Sequence, residues 1–335
     1  KGTNDILFQK ITSTIFTSTD LVLISAGINL ASASVYYVYN QVFQAIYHYL
    51  TSVCNAPSDS FGHFIRQNHS EKLNDVFNIY QKSVQIISSI FFLTAGLTII
   101  PFVKLYTRGV KDINYIVPGL AICLFSYYYL KLNNVPFGLI INASGNFKLQ
   151  NKQCLIAAIV NIIASVILMK IIGVEGIVVG SILGTLIMTV MNILETLSNV
   201  LKTKSIKFFL ILLYNFVFSL LLIIISIIIN IEMTNYLWWI LYCVLCFVTS
   251  CFLVILLNFI VDRATVRSTL QFMIQKIKRR VKRQANQNPT PTSSAEDQWW
   301  YCVIQQWRYK FRHNKERKTH NGKYTQPDYD WIQRC

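Results

Sequence analysis

The chain has 335 residues, of which 53% are hydrophobic and only 14% charged. Soluble domains carry about 25% charged residues, so these proportions exclude an ordinary water-soluble fold and imply an all-α, polytopic membrane helix bundle. The net charge of +16 lies mostly after Asp262 and so describes a tail; the cysteines fall mostly in apolar runs, where they act as small hydrophobes without a disulfide framework.

A membrane-crossing helix needs about 20 mostly apolar residues, and by that measure the stretch 1–260 offers about eight spans. They are Ile11–Leu30, Ser34–Cys54, Ser83–Val103, Ile113–Ile141, Gln153–Ile172, Gly176–Val200, Phe208–Ile229 and Tyr236–Ile260. The fourth is long and holds Pro118, Lys131 and Pro136, so a kink is expected there. Between the second and third spans, Leu73, Val76, Phe77 and Tyr80 form an apolar stripe opposite Glu71, Asn74, Asp75 and Asn78. That pattern predicts an amphipathic helix on the membrane surface, leading into the next span. The Trp238–Trp239 pair suits an interfacial aromatic belt.

After the last span, 261–285 reads as a basic juxtamembrane helix attracted to anionic lipid. Residues 286–335 read as a Pro/Ser/Thr linker followed by a disordered or non-native extension. Its aromatics stand among basic residues, but without an RNA-binding motif nucleic acid is not an expected partner. Lys1 is not an initiator Met and no signal-peptide pattern follows, so the chain is expected to start partway through a larger protein. Most of the loop Lys and Arg fall on one side if Lys1 is cytoplasmic, which predicts both ends inside. The loop "KLYTRGVKD", with Lys104, Arg108 and Lys111, breaks that pattern.

The chemistry resides in polar residues set within apolar spans. Asp20 lies inside the first span, where an aspartate costs about 2.5–3.5 kcal/mol on insertion scales. Ser13, Thr17, Asp20 and Gly27 share one helical face, as do Tyr37, Asn40, Gln41, Gln44 and His48 in the second span. Tyr127, Lys131, Asn134 and Gly138 line up in the fourth, and Asn161 and Ser165 in the fifth. Several such stripes are what a solvated central cavity requires. Polar residues also join helices by hydrogen bonds of about 1 kcal/mol; for Asn161 and Ser165 that is the expected role. His48 is expected at the interface. For Asp20 a cavity-facing role and a structural ion pair or cap both remain open, an Asp20–Lys131 pair being one arrangement.

Gly176, Gly180 and Gly184 form small-xxx-small steps that allow close helix packing. Cys243, Cys246 and Cys251 lie in one apolar span without a nearby His, so no metal site is expected. No phosphate-binding Gly loop, Walker pattern or HExxH occurs, and no cofactor or catalytic residue is expected.

Two segments carry a family resemblance. "FTSTDLVLISAGINLASASVYYVYNQVFQAI" resembles the seventh and eighth helices of polysaccharide-type flippases, in which an in-helix Asp precedes spaced tyrosines. "LIINASGNFKLQNKQCLIAAIVNIIASVILMKIIGVEGIVVGSILGTLI" is similar to a later segment of the same proteins, with Ser181 or Thr185 near that family's Thr. The likeness, covering roughly Lys1–Ile260, is to the O-antigen and capsule translocases of the multidrug/oligosaccharidyl-lipid/polysaccharide exporter superfamily. It implies that 1–260 corresponds to helices seven to fourteen of a fourteen-helix protein, the second lobe plus the last two helices.

The resemblance further implies flipping of an undecaprenyl-diphosphate-linked oligosaccharide across the bacterial cytoplasmic (inner) membrane by two lobes that rock around a central cavity. On that reading Lys131 contacts the anion, and Asp20 serves an ion- or proton-coupled gate. Asn40, Gln41 and Gln44, with Tyr37 and Asn134, contact the sugar. The partners are the lipid-linked oligosaccharide and the bilayer, with a polysaccharide polymerase and glycosyltransferases as associated proteins. No bond is made or broken, so the expectation is a transporter and not an enzyme. The alternatives are a cation-coupled drug exporter of the same superfamily, or a non-transporting membrane partner in a glycan assembly complex.

Overall fold

The computed structural model describes residues 2–66, 70–110, 113–201, 207–229 and 231–261. The expected basic helix and tail, from 262 onward, lie outside the described residues. Helices α1 (Gly2–Gly27), α2 (Leu30–Cys54) and α3 (Ser58–Arg66) are followed by α4 (Ser70–Tyr106), α5 (Pro118–Ala143) and α6 (Phe147–Ile172). Helix α7 (Val174–Glu195) runs into a π-helical turn at Thr196–Val200, and α8 (Lys207–Ile229) and α9 (Tyr236–Val261) complete the bundle. No strand occurs among the described residues.

Local chemistry accounts for several boundaries. Asn29 caps α2 by accepting the Ser32 N–H at 2.6 Å, closing one of the unpaired amides of a first helical turn. Pro118 opens α5 as its first residue, where its missing N–H has no intrahelical acceptor to lose. It therefore starts the helix and does not kink it; Pro136 lies inside the same helix, which continues to Ala143. Between α6 and α7 stands Gly173 at φ +67°, a conformation costly to a side chain with a Cβ.

Among the described residues, five helices are long and apolar enough to cross a membrane: α4 from Leu73, α6, α7 with its π turn, α8 from Phe209, and α9. The chain thus has the character of a multi-pass membrane protein. Helices α1, α2 and α5 occupy the other expected positions but fall short on composition, for a physical reason. They carry Asp20, the Tyr/Asn/Gln/His row of α2, and the Tyr127–Asn134 stretch of α5. Their polarity is accommodated by packing: α5 touches α2, α3, α4, α6, α7 and α8, and its Leu124–Leu130 stretch is buried throughout. By contrast α6, α8 and α9 present exposed Ile163, Ile167, Leu213, Leu221, Leu245 and Phe252, a surface suited to lipid.

The expected amphipathic surface helix takes a different form. Residues from Ser70 on are the first turns of α4, and their apolar stripe is covered by protein. Leu73 and Phe77 are buried in a cluster with Phe61 of α3 and Phe137 of α5. Phe77 meets Phe61 and Phe137 edge-on at 6.2 and 5.5 Å, a favoured aromatic geometry. The basic loop after α4 also has a local explanation. Lys104 Nζ lies 3.9 Å from Glu232, and Arg108 donates to the Thr234 carbonyl at 3.1 Å, so these cations face the loop between α8 and α9. Trp239 packs on Phe102 at 5.1 Å and donates to the Thr98 carbonyl at 3.3 Å, while Trp238 stays exposed.

Candidate functional site

Asp20 is 2% exposed and is held where α1 meets α6, α7 and α2. Ser181 Oγ of α7 lies 2.7 and 2.9 Å from its two carboxylate oxygens, and the Tyr36 hydroxyl of α2 donates to one of them at 3.4 Å. The cluster continues into α6. Asn161 Oδ1 sits 3.2 Å from Ser181 Oγ and 2.9 Å from Ser165 Oγ, and Ser165 Oγ donates to the Ile177 carbonyl at 3.0 Å. Ser165, Ser181 and Asn161 are fully buried.

The knot is short of donors. The hydroxyls of Ser165, Ser181 and Tyr36 each have one proton to give. Those protons must serve both Asp20 oxygens, the Asn161 oxygen and the Ile177 carbonyl, while Asn161 Nδ2 has no partner within the protein. Three things can close such a knot: a proton on Asp20, which turns one carboxylate oxygen into a donor, an inverted Asn161 amide, which supplies N–H donors, or a cation at its centre. An all-oxygen set with a single carboxylate is the donor chemistry of hard cations. Among the described residues no group of three His, Cys, Asp or Glu side chains gathers, so neutral oxygens supply all of this set except Asp20.

Lys131 of α5 makes a different arrangement. Its ammonium donates to the Tyr127 hydroxyl at 2.9 Å. It also stands 4.9 Å from the ring centres of Tyr47 and Tyr127 and 5.6 Å from that of Tyr128. Three electron-rich faces around one cation are worth about 0.5–2 kcal/mol apiece, more when desolvated. Lys131 and Asp20 make no direct ion pair; each feels the other's charge across the tyrosines. The direct pair is thus not the arrangement adopted, because each charge already has its own neutral partners.

The row on α2 joins this cage. The Tyr128 hydroxyl donates to Asn40 Oδ1 at 2.7 Å, Asn40 Nδ2 donates to Gln44 Oε1 at 3.3 Å, and Gln44 Nε2 lies 3.4 Å from His48 Nε2. The i, i+4 spacing makes these residues neighbours along one helical face. Tyr37 and Gln41 are exposed on α2, whereas Asn40 and Gln44 are half-buried. Asn134 faces elsewhere: it is buried and accepts the Asn192 amide of α7 at 2.9 Å. The side chains of Ser13 and Thr17 lie outside the described residues.

In the sequence Ser181 stood out only through the resemblance, as a position near that family's Thr, and Tyr36 only among spaced tyrosines; nothing in their spacing ties either to Asp20 until α1, α2 and α7 are packed. A second buried polar patch, between α4 and α5, also escaped the sequence reading. There Asn133 donates to Ser88 Oγ at 2.9 Å and to the Tyr129 carbonyl at 2.8 Å. Fully buried Gln85 lies on the same face of α4, and its amide has no partner in the protein.

Compared with known families, with curated proteins and with solved structures, the chain matches none. The geometry above and the sequence resemblance therefore carry the functional argument.

Proposed function

We propose that the chain is a flippase component that moves a lipid-diphosphate-linked oligosaccharide across the bacterial cytoplasmic membrane by alternating access, with both ends of 1–260 cytoplasmic. The observation that carries this reading is convergence. Lys131 and the Asn40–Gln44 row share Tyr128, and Asp20 holds Tyr36, one turn before Asn40 on the same helix α2. Polar groups that served only as glue between separate helix pairs would have no reason to share partners.

In this reading the residues divide the work. Lys131, caged but free of any carboxylate partner, offers its charge to the diphosphate. Asn40, Gln44 and exposed Gln41 and Tyr37 supply hydrogen-bond groups and a ring face for sugars. The Asp20 knot takes the coupling cation, and because it joins α1 to α6 and α7, filling it changes how those helices pack. A ligand shifts such an equilibrium only by its differential affinity for the two states, and a donor-poor knot provides that difference. No covalent step is involved.

The test is translocation by the full chain in proteoliposomes loaded with a fluorescent polyprenyl-diphosphate oligosaccharide, with bleaching of the outer leaflet as the readout. The expected result is protein-dependent movement that Lys131→Met abolishes. Movement no faster than in empty vesicles would overturn the proposal. Efflux of a lipophilic cation instead would identify the exporter alternative.

A further inference from the structure

A line of buried polar residues leaves the Asp20 knot and runs the length of α7. Ser181, Thr185, Thr189, Asn192 and Thr196 are spaced four, four, three and four apart, which keeps them on one face. All are buried to 3% exposure or less. The rise of an α-helix makes this line about 22 Å long, ending at the π turn. Helix α6 supplies a facing row: Gln150 and Gln153, both 2% exposed, precede Asn161 of the knot.

Some atoms of this line are bonded, Thr189 Oγ1 to the Thr185 carbonyl and Asn192 Nδ2 to Asn134, but others have no partner in the protein. Thr185 Oγ1, Asn192 Oδ1, Thr196 Oγ1, Gln150 Oε1 and Gln153 Oε1 are all buried and unbonded. Every one is an oxygen. Buried polar groups in proteins are hydrogen-bonded to protein or ordered water, and these three amide oxygens and two hydroxyls, unbonded in the protein, ask for water. Helices α5, α6 and α7 come together on this line. Gly138 of α5 has no side chain there, and a methyl added to it would stand 3.6 Å from Gln150 Nε2 and 4.0 Å from Asn192 Nδ2.

We infer that this line is a hydrated path along which the coupling cation travels between the Asp20 knot and the membrane face where α7 ends. This rests on the proposal that Asp20 is an ion site. A lining of neutral amides and hydroxyls with several unbonded oxygens suits a hard monovalent cation passing from one partly hydrated position to the next, since each contact is weak enough to release it. The π turn at Thr196–Val200 widens the helix where the path reaches its mouth.

The native thiol of Cys154 provides a probe that requires no change in the line itself. It is buried on α6, one turn after Gln150. In a full chain whose other cysteines are replaced, Cys154 and, separately, Thr189→Cys are exposed to Ag+ in membranes, and residual thiols are counted by maleimide after denaturation. Hydrated thiols ionise and react, whereas thiols in apolar surroundings do not. The expected result is reaction at least about tenfold faster than at the lipid-facing controls Ile159→Cys and Leu186→Cys. Rates equal to those controls would overturn the path whatever the transport assay gives. Fast reaction in a chain that moves no glycolipid would keep the path and overturn only the cargo.

Discussion

Gly180→Ala tests the packing that holds the Asp20 knot together. Helices α6 and α7 are closest at Gly176 and Gly180, where a methyl would overlap the Leu168 backbone and the Ser165 side chain and backbone respectively. At Gly180 the obstructing atoms include Ser165 N and Cα, which cannot rotate away, so the helices must separate. Over-packing of this kind costs about 1–3 kcal/mol. The displaced Ser165 hydroxyl also gives up its contacts with Ile177 and Asn161, worth about 1 kcal/mol each. A total loss of about 3–5 kcal/mol follows from these two terms, more than a hundredfold in the unfolding equilibrium. The assay is reversible denaturation of the purified chain in mixed micelles. Gly62→Ala in α3 is the control of opposite sign: its nearest neighbour would be Arg66 at 3.7 Å, so alanine should stabilise by about 0.5–1 kcal/mol through helix propensity. If Gly180→Ala falls within about 0.5 kcal/mol of wild type, the range of an indifferent surface change, the close α6–α7 contact is refuted.

Ser181→Ala removes the shortest bonds to Asp20, and should destabilise by about 1–3 kcal/mol while abolishing cation dependence of translocation; a full cation response would count against the knot. Lys131→Met should leave stability within about 1 kcal/mol, since the lost cation–ring contacts are offset by the desolvation cost of burying an ammonium, which methionine avoids, yet translocation should cease. Asn134→Leu and Asn192→Leu in a double-mutant cycle should couple by about 0.6–1.7 kcal/mol, the range for hydrogen bonds within membranes; zero coupling would remove that α5–α7 bond. Tyr39→Phe frees both the Tyr115 carbonyl and the Val117 amide, held at 2.9 and 3.0 Å. It should cost about 1–3 kcal/mol and raise proteolysis between α4 and α5.

Helix positions were readable in the sequence because apolar runs of membrane length leave little else possible. α8 and α9 stand as expected, and their joining clamp, the reciprocal Asn215–Asn258 amide pair with Tyr214, was not visible. The reason is the same throughout: a single Asn in an apolar run states a need for a partner but not which helix supplies it. Asn161 and Ser165 illustrate the point. Helical spacing read them as glue, and they do bond across helices, but their partner Ser181 also holds Asp20. Composition also overstated the number of apolar spans, because α5 is buried by protein on nearly every side and can be far more polar than a lipid-facing helix. The first turns of α4 were legible as an amphipathic helix but were placed on the membrane surface, because a one-sided apolar stripe states a need for cover and not whether lipid or α3 and α5 supply it.

The long α4, which holds Pro101 only within its last two turns, has a mechanical consequence. Its 37 residues make a rod of about 55 Å, against a hydrocarbon layer of about 30 Å. One end is wedged by Phe61 and Phe137, the other braced by Trp239. Such a rod cannot shorten, so tilting at one surface of the bilayer must be matched by an opposite swing at the other. α4 thereby behaves as a see-saw beam, reporting at one side of the membrane what has happened on the other.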